Sequence, residues 1–178
     1  MILDKYFGKE VMNGVYQIVT APLSHPDMIP TLLPLILGGV VLELYFGKYT
    51  EENLGWNSSV SNSVIWISTG ITLILTANLT TIWGKGVSYF LIGLGLFTGY
   101  MNFFHKWNPT VAFIASSSGV VYSIAYVSVV MIKSGMPLNQ TTIQSAALAL
   151  IGIGICFHLI KFIEPSKKDL FGMEGSRI

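Results

Sequence analysis

Glu43 and His158 are ionisable side chains placed inside long apolar runs, one turn and between one and two turns from the ends of their runs. A carboxylate and an imidazole at matched depth could share a proton, bind a cation or pair with one another. Charge is costly in hydrocarbon, so such residues are the first place to look for function. Lys161 follows His158 at i+3, on the same helical face. His105 lies in a short connection with Lys106 and Asn108, and Asn57 and Asn62, with Ser58 and Ser61, crowd polar groups at the start of another run. By topology all of these fall at one end of the chain's apolar layer. They compose a candidate polar site of Glu43, His158, Lys161, Asn57, Asn62 and His105.

A plainer account uses the same residues. Glu43 and Lys161 are close enough to the ends of their runs to extend toward headgroups, and His158 can bond a neighbouring carbonyl. The Asn and Ser side chains then serve the free amides that any helix start exposes. This account needs no convergence of the residues and is the more economical of the two.

Other chemistries find little material. The histidines at 25, 105 and 158 fall on both faces, Cys156 is the single cysteine, and no His/Cys pair has i, i+4 spacing, so no metal site is expected. His25-Pro26-Asp27 is the one compact His/carboxylate pair, and a turn followed by an N-cap explains it. There is no glycine-rich phosphate loop, no Gly-x-Ser-x-Gly elbow and no paired aspartates for metal-dependent phosphoryl transfer. No cofactor is expected, and no catalytic constellation is present in this chain alone.

The elements that must position these residues follow from composition. Of 178 residues 52% are hydrophobic and 11% charged, with a mean hydropathy of +0.62. Soluble domains carry about 25% charged residues, and this chain has too few to coat a water-facing globule. Apolar runs at 29–46, 61–83, 87–104, 110–132 and 142–163 each reach about 27 Å or more as a helix, near the ~30 Å hydrocarbon thickness. Without the strict alternation of barrel strands, they predict an all-α, polytopic membrane bundle of five transmembrane helices. Tyr45, Tyr49, Trp56 and Trp107 mark one interface, and Trp83 and Tyr89 the other.

The chain divides into residues 1–27, a helix and a Pro-rich turn; 28–164, the bundle; and 165–178, a short polar tail. The N-terminal segment lacks a basic start followed by an apolar stretch and does not read as a signal peptide. Leu3, Phe7, Val11, Val15 and Ile18 recur at helical spacing. That pattern fits an amphipathic helix lying in the interface, and equally one packed under a partner subunit. Asp27 is expected as an N-cap, and Pro34 as a kink in the first crossing. Asn57 or Ser58 is expected to cap the second helix, and Asn108 with Pro109 to start the fourth.

Ten Lys+Arg balance nine Asp+Glu, and the lysines are scattered, which excludes nucleic acid as a partner. Lys48, Lys106, Lys161, Lys167, Lys168 and Arg177 share one face, against Lys5, Lys9, Lys85 and Lys133 on the other. The excess predicts a multi-pass cell-membrane protein with a cytoplasmic C-terminus. Ser61, Ser68, Thr72 and Thr76 form a hydroxyl stripe on the second helix, and Ser116 to Ser118 give the fourth its own small-hydroxyl segment. Gly95/Gly99 and Ala115/Gly119 have small-xxx-small spacing. With almost nothing outside the lipid bilayer, the leading expectation is an integral subunit stabilising a larger membrane protein complex through other membrane subunits. The alternative is a small transporter or channel whose polar path is lined by helices two and four, and the third a subunit contributing to a membrane-embedded enzyme. The absence of internal repeats and of visibly broken helices counts against the transporter.

Overall fold

The computed structural model describes residues 6–48, 55–77 and 79–160. Among these, every regular element is helical: α1 (Lys9–Ser24), a 3-10 turn (Pro26–Met28), α2 (Ile29–Lys48), α3 (Trp56–Thr76), α4 (Ile82–Phe103), α5 (Pro109–Ala115), α6 (Ser118–Lys133) and α7 (Gln140–Ile160). Lys161 and the tail 165–178 lie outside the described residues, as does the side chain of Asn57. Among the described residues, four stretches are long and apolar enough to cross a membrane: Pro26–Leu44, Ser58–Thr76, Pro109–Lys133 and Gln140–Ile160. Such an arrangement is compatible with a multi-pass membrane protein. The third expected crossing, the run 87–104 in α4, belongs to a helix of 22 residues, but Lys85, Asn102 and its glycines lower its mean hydropathy, and it is not among the four.

Short polar signals set the helix ends. The Asn108 side chain accepts from Thr110 N at 2.8 Å, with Pro109 in the first turn, as its letters predict. Gly55, not Asn57 or Ser58, occupies the N-cap of α3, and Asp27 sits within the 3-10 turn without capping. The run expected to continue to Trp83 stops at Thr76, because Thr81 starts a new helix by accepting from Gly84 N at 3.3 Å. Gly135, at φ +64°, closes α6 through Met136 N–H to Met131 O and Gly135 N–H to Ile132 O, both 3.1 Å.

Glycines allow the helices to approach. On α4, a Cβ at Gly95 would stand 2.8 Å from the Ser63 carbonyl oxygen and from Trp66 Cβ, so the Gly95/Gly99 face is the seam with antiparallel α3. On α2, a Cβ at Gly39 would meet the Phe157 ring at 2.6 Å. α2 also runs antiparallel to α6, since Lys133 Nζ donates to Thr31 Oγ1 at 3.1 Å near one end and Ser118 Oγ donates to Glu43 near the other. Leu32, Leu35, Val121, Val129, Val130 and Phe157 fill the shared core.

α1 finds its cover within the chain. Its buried residues are Val11, Gly14, Ile18 and Ala21, a stripe rotated slightly from the predicted one, with Phe7 exposed. Gly14 lies against Ser145 of α7, whose hydroxyl donates to the Val11 carbonyl at 2.9 Å. The apolar face expected to meet lipid headgroups or a partner therefore packs mainly on α7.

Candidate functional site at a broken helix

The fourth apolar stretch is interrupted. α5 ends at Ala115, Ser117 is extended (φ −63°, ψ 144°), and α6 begins at Ser118. Consecutive serines favour such a break, because their hydroxyls compete for backbone groups and because they gain little from helix packing. The break falls between Ala115 and Gly119, so the two do not share the continuous helix that small-xxx-small spacing assumes. A break inside an apolar stretch frees carbonyls at one helix end and N–H groups at the other, and these must be met by side chains.

Side chains brace the break from two sides. On the side of α3 and α4, Asn62 Nδ2 donates to the Ser116 carbonyl at 2.8 Å. Asn102 Nδ2 donates to Ser116 Oγ at 2.8 Å and to the Ser59 carbonyl at 3.2 Å, while Asn102 Oδ1 accepts from Trp107 Nε1 at 2.7 Å. Asn62 and Asn102 are both buried. On the side of α2, the Ser118 hydroxyl donates to Glu43 Oε1. The Glu43 carboxylate is 2% exposed and stands at the positive end of α6, where a helix dipole favours an anion.

Beyond Glu43 a cavity of about 560 Å³ opens between α6 and α7. It is lined by Glu43, Ser117, Gly119, Ser123, Gly154 and His158 together with six aliphatic side chains. Its volume falls in the range of about 300–1,000 Å³ usual for small-molecule sites. Val120, Ile151, Ile155 and Leu159 line it and are themselves exposed, so its opening faces outward between the two helices.

Of the six residues that the sequence nominates, Glu43 and His158 line this one cavity, and Asn62 braces the break beside it. His105 is elsewhere: it stacks on Trp56 at 4.2 Å, with a left-handed φ of 50°. Lys161 and the Asn57 side chain are outside the described residues. The expected hydroxyl path along helix two is turned outward, with Ser61, Ser68 and Thr76 exposed and with Ser68 and Thr76 bonded to their own helix. The inward polar face of α3 is Ser59, Asn62, Ser63 and Thr69.

Sequence reasoning passed over Asn102 and Ser123. The rule that flags Glu43 would have found Asn102, an amide near the end of an apolar run; Ser123 carries no such signal, since serines are frequent in these helices. Among the described residues, no three of His, Cys, Asp and Glu gather as a metal site would need. The chain matches no family model, no curated protein and no solved structure in these comparisons.

Proposed function

We propose that this chain is a small multi-pass membrane carrier that takes a solute from the bilayer or its interface into the cavity beside Glu43. In this reading α4 also crosses, making five spans, α1 rests near the interface, and the end bearing Glu43 and His158 is cytoplasmic. The observation that carries the proposal is the interrupted fourth span. Discontinuous helices at substrate depth are how transporters present half-helix ends to solutes and ions, and here the break, a buried carboxylate and a cavity coincide.

The test is uptake by proteoliposomes of the purified chain. Aryl-alkyl solutes with fixed charge, a trimethylammonium and a sulfonate, cross bare lipid slowly and would be compared with protein-free vesicles. Gly154→Leu fills the cavity from a helix position where a Cβ would make an ordinary contact, 4.0 Å from Ser123 Oγ, and is expected to abolish the protein-dependent uptake. Uptake absent for both solutes, or indifferent to Gly154→Leu, would overturn the carrier reading.

An accessory-subunit role is the second reading. It draws support from the outward aromatic side chains of α4, where Phe90 and Phe97 share one face and are 64% and 55% exposed. Mass determination after mild solubilisation separates the two: stoichiometric foreign chains favour the subunit, and the chain alone or with copies of itself favours the carrier.

A further inference from the structure

Among the described residues, three buried hydroxyls, on Ser59, Ser123 and Ser134, lack a hydrogen-bond partner, and of these Ser123 lines the cavity. Ser63, Thr76, Ser88, Thr98 and Ser145 each donate to the carbonyl four residues earlier, the usual resource of a hydroxyl in an apolar helix. Ser123 sits on α6 with helix before and after it. Its side chain is 3% exposed, and its Oγ has no hydrogen-bond partner. It lines the cavity together with Glu43. A buried hydroxyl left unpaired is costly, and one lining a cavity has a site where a ligand atom would satisfy it.

The cavity thus has two polar stations separated by an apolar length. At one, Glu43 supplies the single acidic side chain among the described lining residues, oriented by the Ser118 hydroxyl. At the other is Ser123, five residues along α6 from Ser118, or about 7.5 Å at 1.5 Å per residue. Ile124, Leu150 and Ile155 line the space around them. His158 is the other ionisable lining residue, and it is exposed whereas Glu43 is buried. The buried Glu43 carboxyl offers acceptor oxygens, which suit a donor head group.

We propose that the cavity binds a small amphiphilic primary ammonium, its head on the Glu43 carboxylate and a second hydrogen-bonding group on Ser123 Oγ, with an apolar body between. This names the ligand class of the carrier site above and rests on that reading for the solute's route, though not for its binding. A free arylalkylamine or the headgroup of an aminophospholipid would offer the same ammonium.

The experiment is calorimetric titration of the full chain in phosphatidylcholine nanodiscs, with empty discs as reference. Tyramine carries both groups, phenethylamine lacks the hydroxyl, and tyrosol replaces the amine by an alcohol. Tyramine is expected to bind best and tyrosol about tenfold or more weaker. Glu43→Gln is expected to remove the advantage of the amine. Ser123→Ala is expected to weaken tyramine severalfold and leave phenethylamine unchanged, and because it deletes no internal bond it keeps the fold. Adding phosphatidylethanolamine to the discs separates the sources: lowered tyramine affinity assigns the site to a lipid headgroup, unchanged affinity to a free amine. Equal binding of tyramine and tyrosol, or indifference of tyramine to both substitutions, would overturn the ligand class and leave the carrier reading standing. Intact binding without uptake would do the reverse.

Discussion

The side chain of Asn102, near the end of α4, donates to the hydroxyl of Ser116 at the point where the fourth apolar stretch stops being a helix. The same amide accepts from Trp107 and donates to the Ser59 carbonyl. A single residue thereby ties α3, the connection after α4 and the helix break together, and it does so without exposure.

Replacing Asn102 by Leu should therefore cost more than one contact. Hydrogen bonds between membrane helices contribute about 0.6 kcal/mol each, and four are lost, counting the one to Ser63 Oγ at 3.4 Å, so a loss of about 2 kcal/mol is expected. Unfolding in mixed micelles with increasing sodium dodecyl sulfate measures it. A change within a few tenths of a kcal/mol would mean that the break is held by other contacts.

Ser123→Ala should move stability the other way. Its hydroxyl is buried without a partner, so its removal relieves a desolvation penalty of about 1 kcal/mol in the ligand-free protein. The same denaturation curve should shift upward; a downward shift would show that the hydroxyl has a stabilising contact of its own.

Two glycines provide a matched pair. A Cβ at Gly39 would lie 2.6 Å and 2.8 Å from ring atoms of Phe157, while one at Gly86 meets nothing within 4 Å. Gly39→Ala should destabilise by about 1–3 kcal/mol through overpacking. Gly86→Ala should be neutral or stabilise by up to about 1 kcal/mol through helix propensity. Equal effects on melting temperature would contradict the seam between α2 and α7.

His105 occupies the left-handed position of a helix C-terminus where glycine usually stands, with Lys106 N–H bonded to Met101 O at 2.8 Å. Its ring stacks on Trp56. His105→Ala loses the stack and keeps the strain, whereas His105→Gly loses the stack and relieves the strain. The glycine variant is expected to exceed the alanine variant by about 1 kcal/mol. Thermal unfolding of the two, followed by near-ultraviolet dichroism of Trp56, tests this ordering.

The helical class and most segment ends are legible in the letters because they depend on local chemistry: an Asn before a Pro starts a helix, and a Gly after an apolar run ends one. Glu43 and His158 are legible for the same reason, as charge-bearing groups where hydrocarbon penalises charge. What the letters hide depends on comparing two environments. The run 110–132 is apolar enough for one uninterrupted helix, and its serines are individually tolerable there. Three residues distant in sequence brace the break at Ser116–Ser117: Asn62 meets the Ser116 carbonyl, and Asn102 and Glu43 hold the Ser116 and Ser118 hydroxyls. The hydroxyl stripe of the second helix failed differently: a serine bonded to its own backbone loses its polarity and can face outward, so spacing alone does not tell lining from surface. α1 was legible as a helix, but its cover was not, because an apolar stripe fits lipid, a foreign chain or α7 alike.

The contact of Val11 and Gly14 with Ser145 links the order of synthesis to the order of assembly. Of the described helices, α1 leaves the ribosome first, yet its resting place on α7 exists only once the last of them has emerged. During translation α1 must wait with its stripe uncovered, and chains halted before residue 145 are left with an undocked leading helix open to proteolysis or chaperone capture.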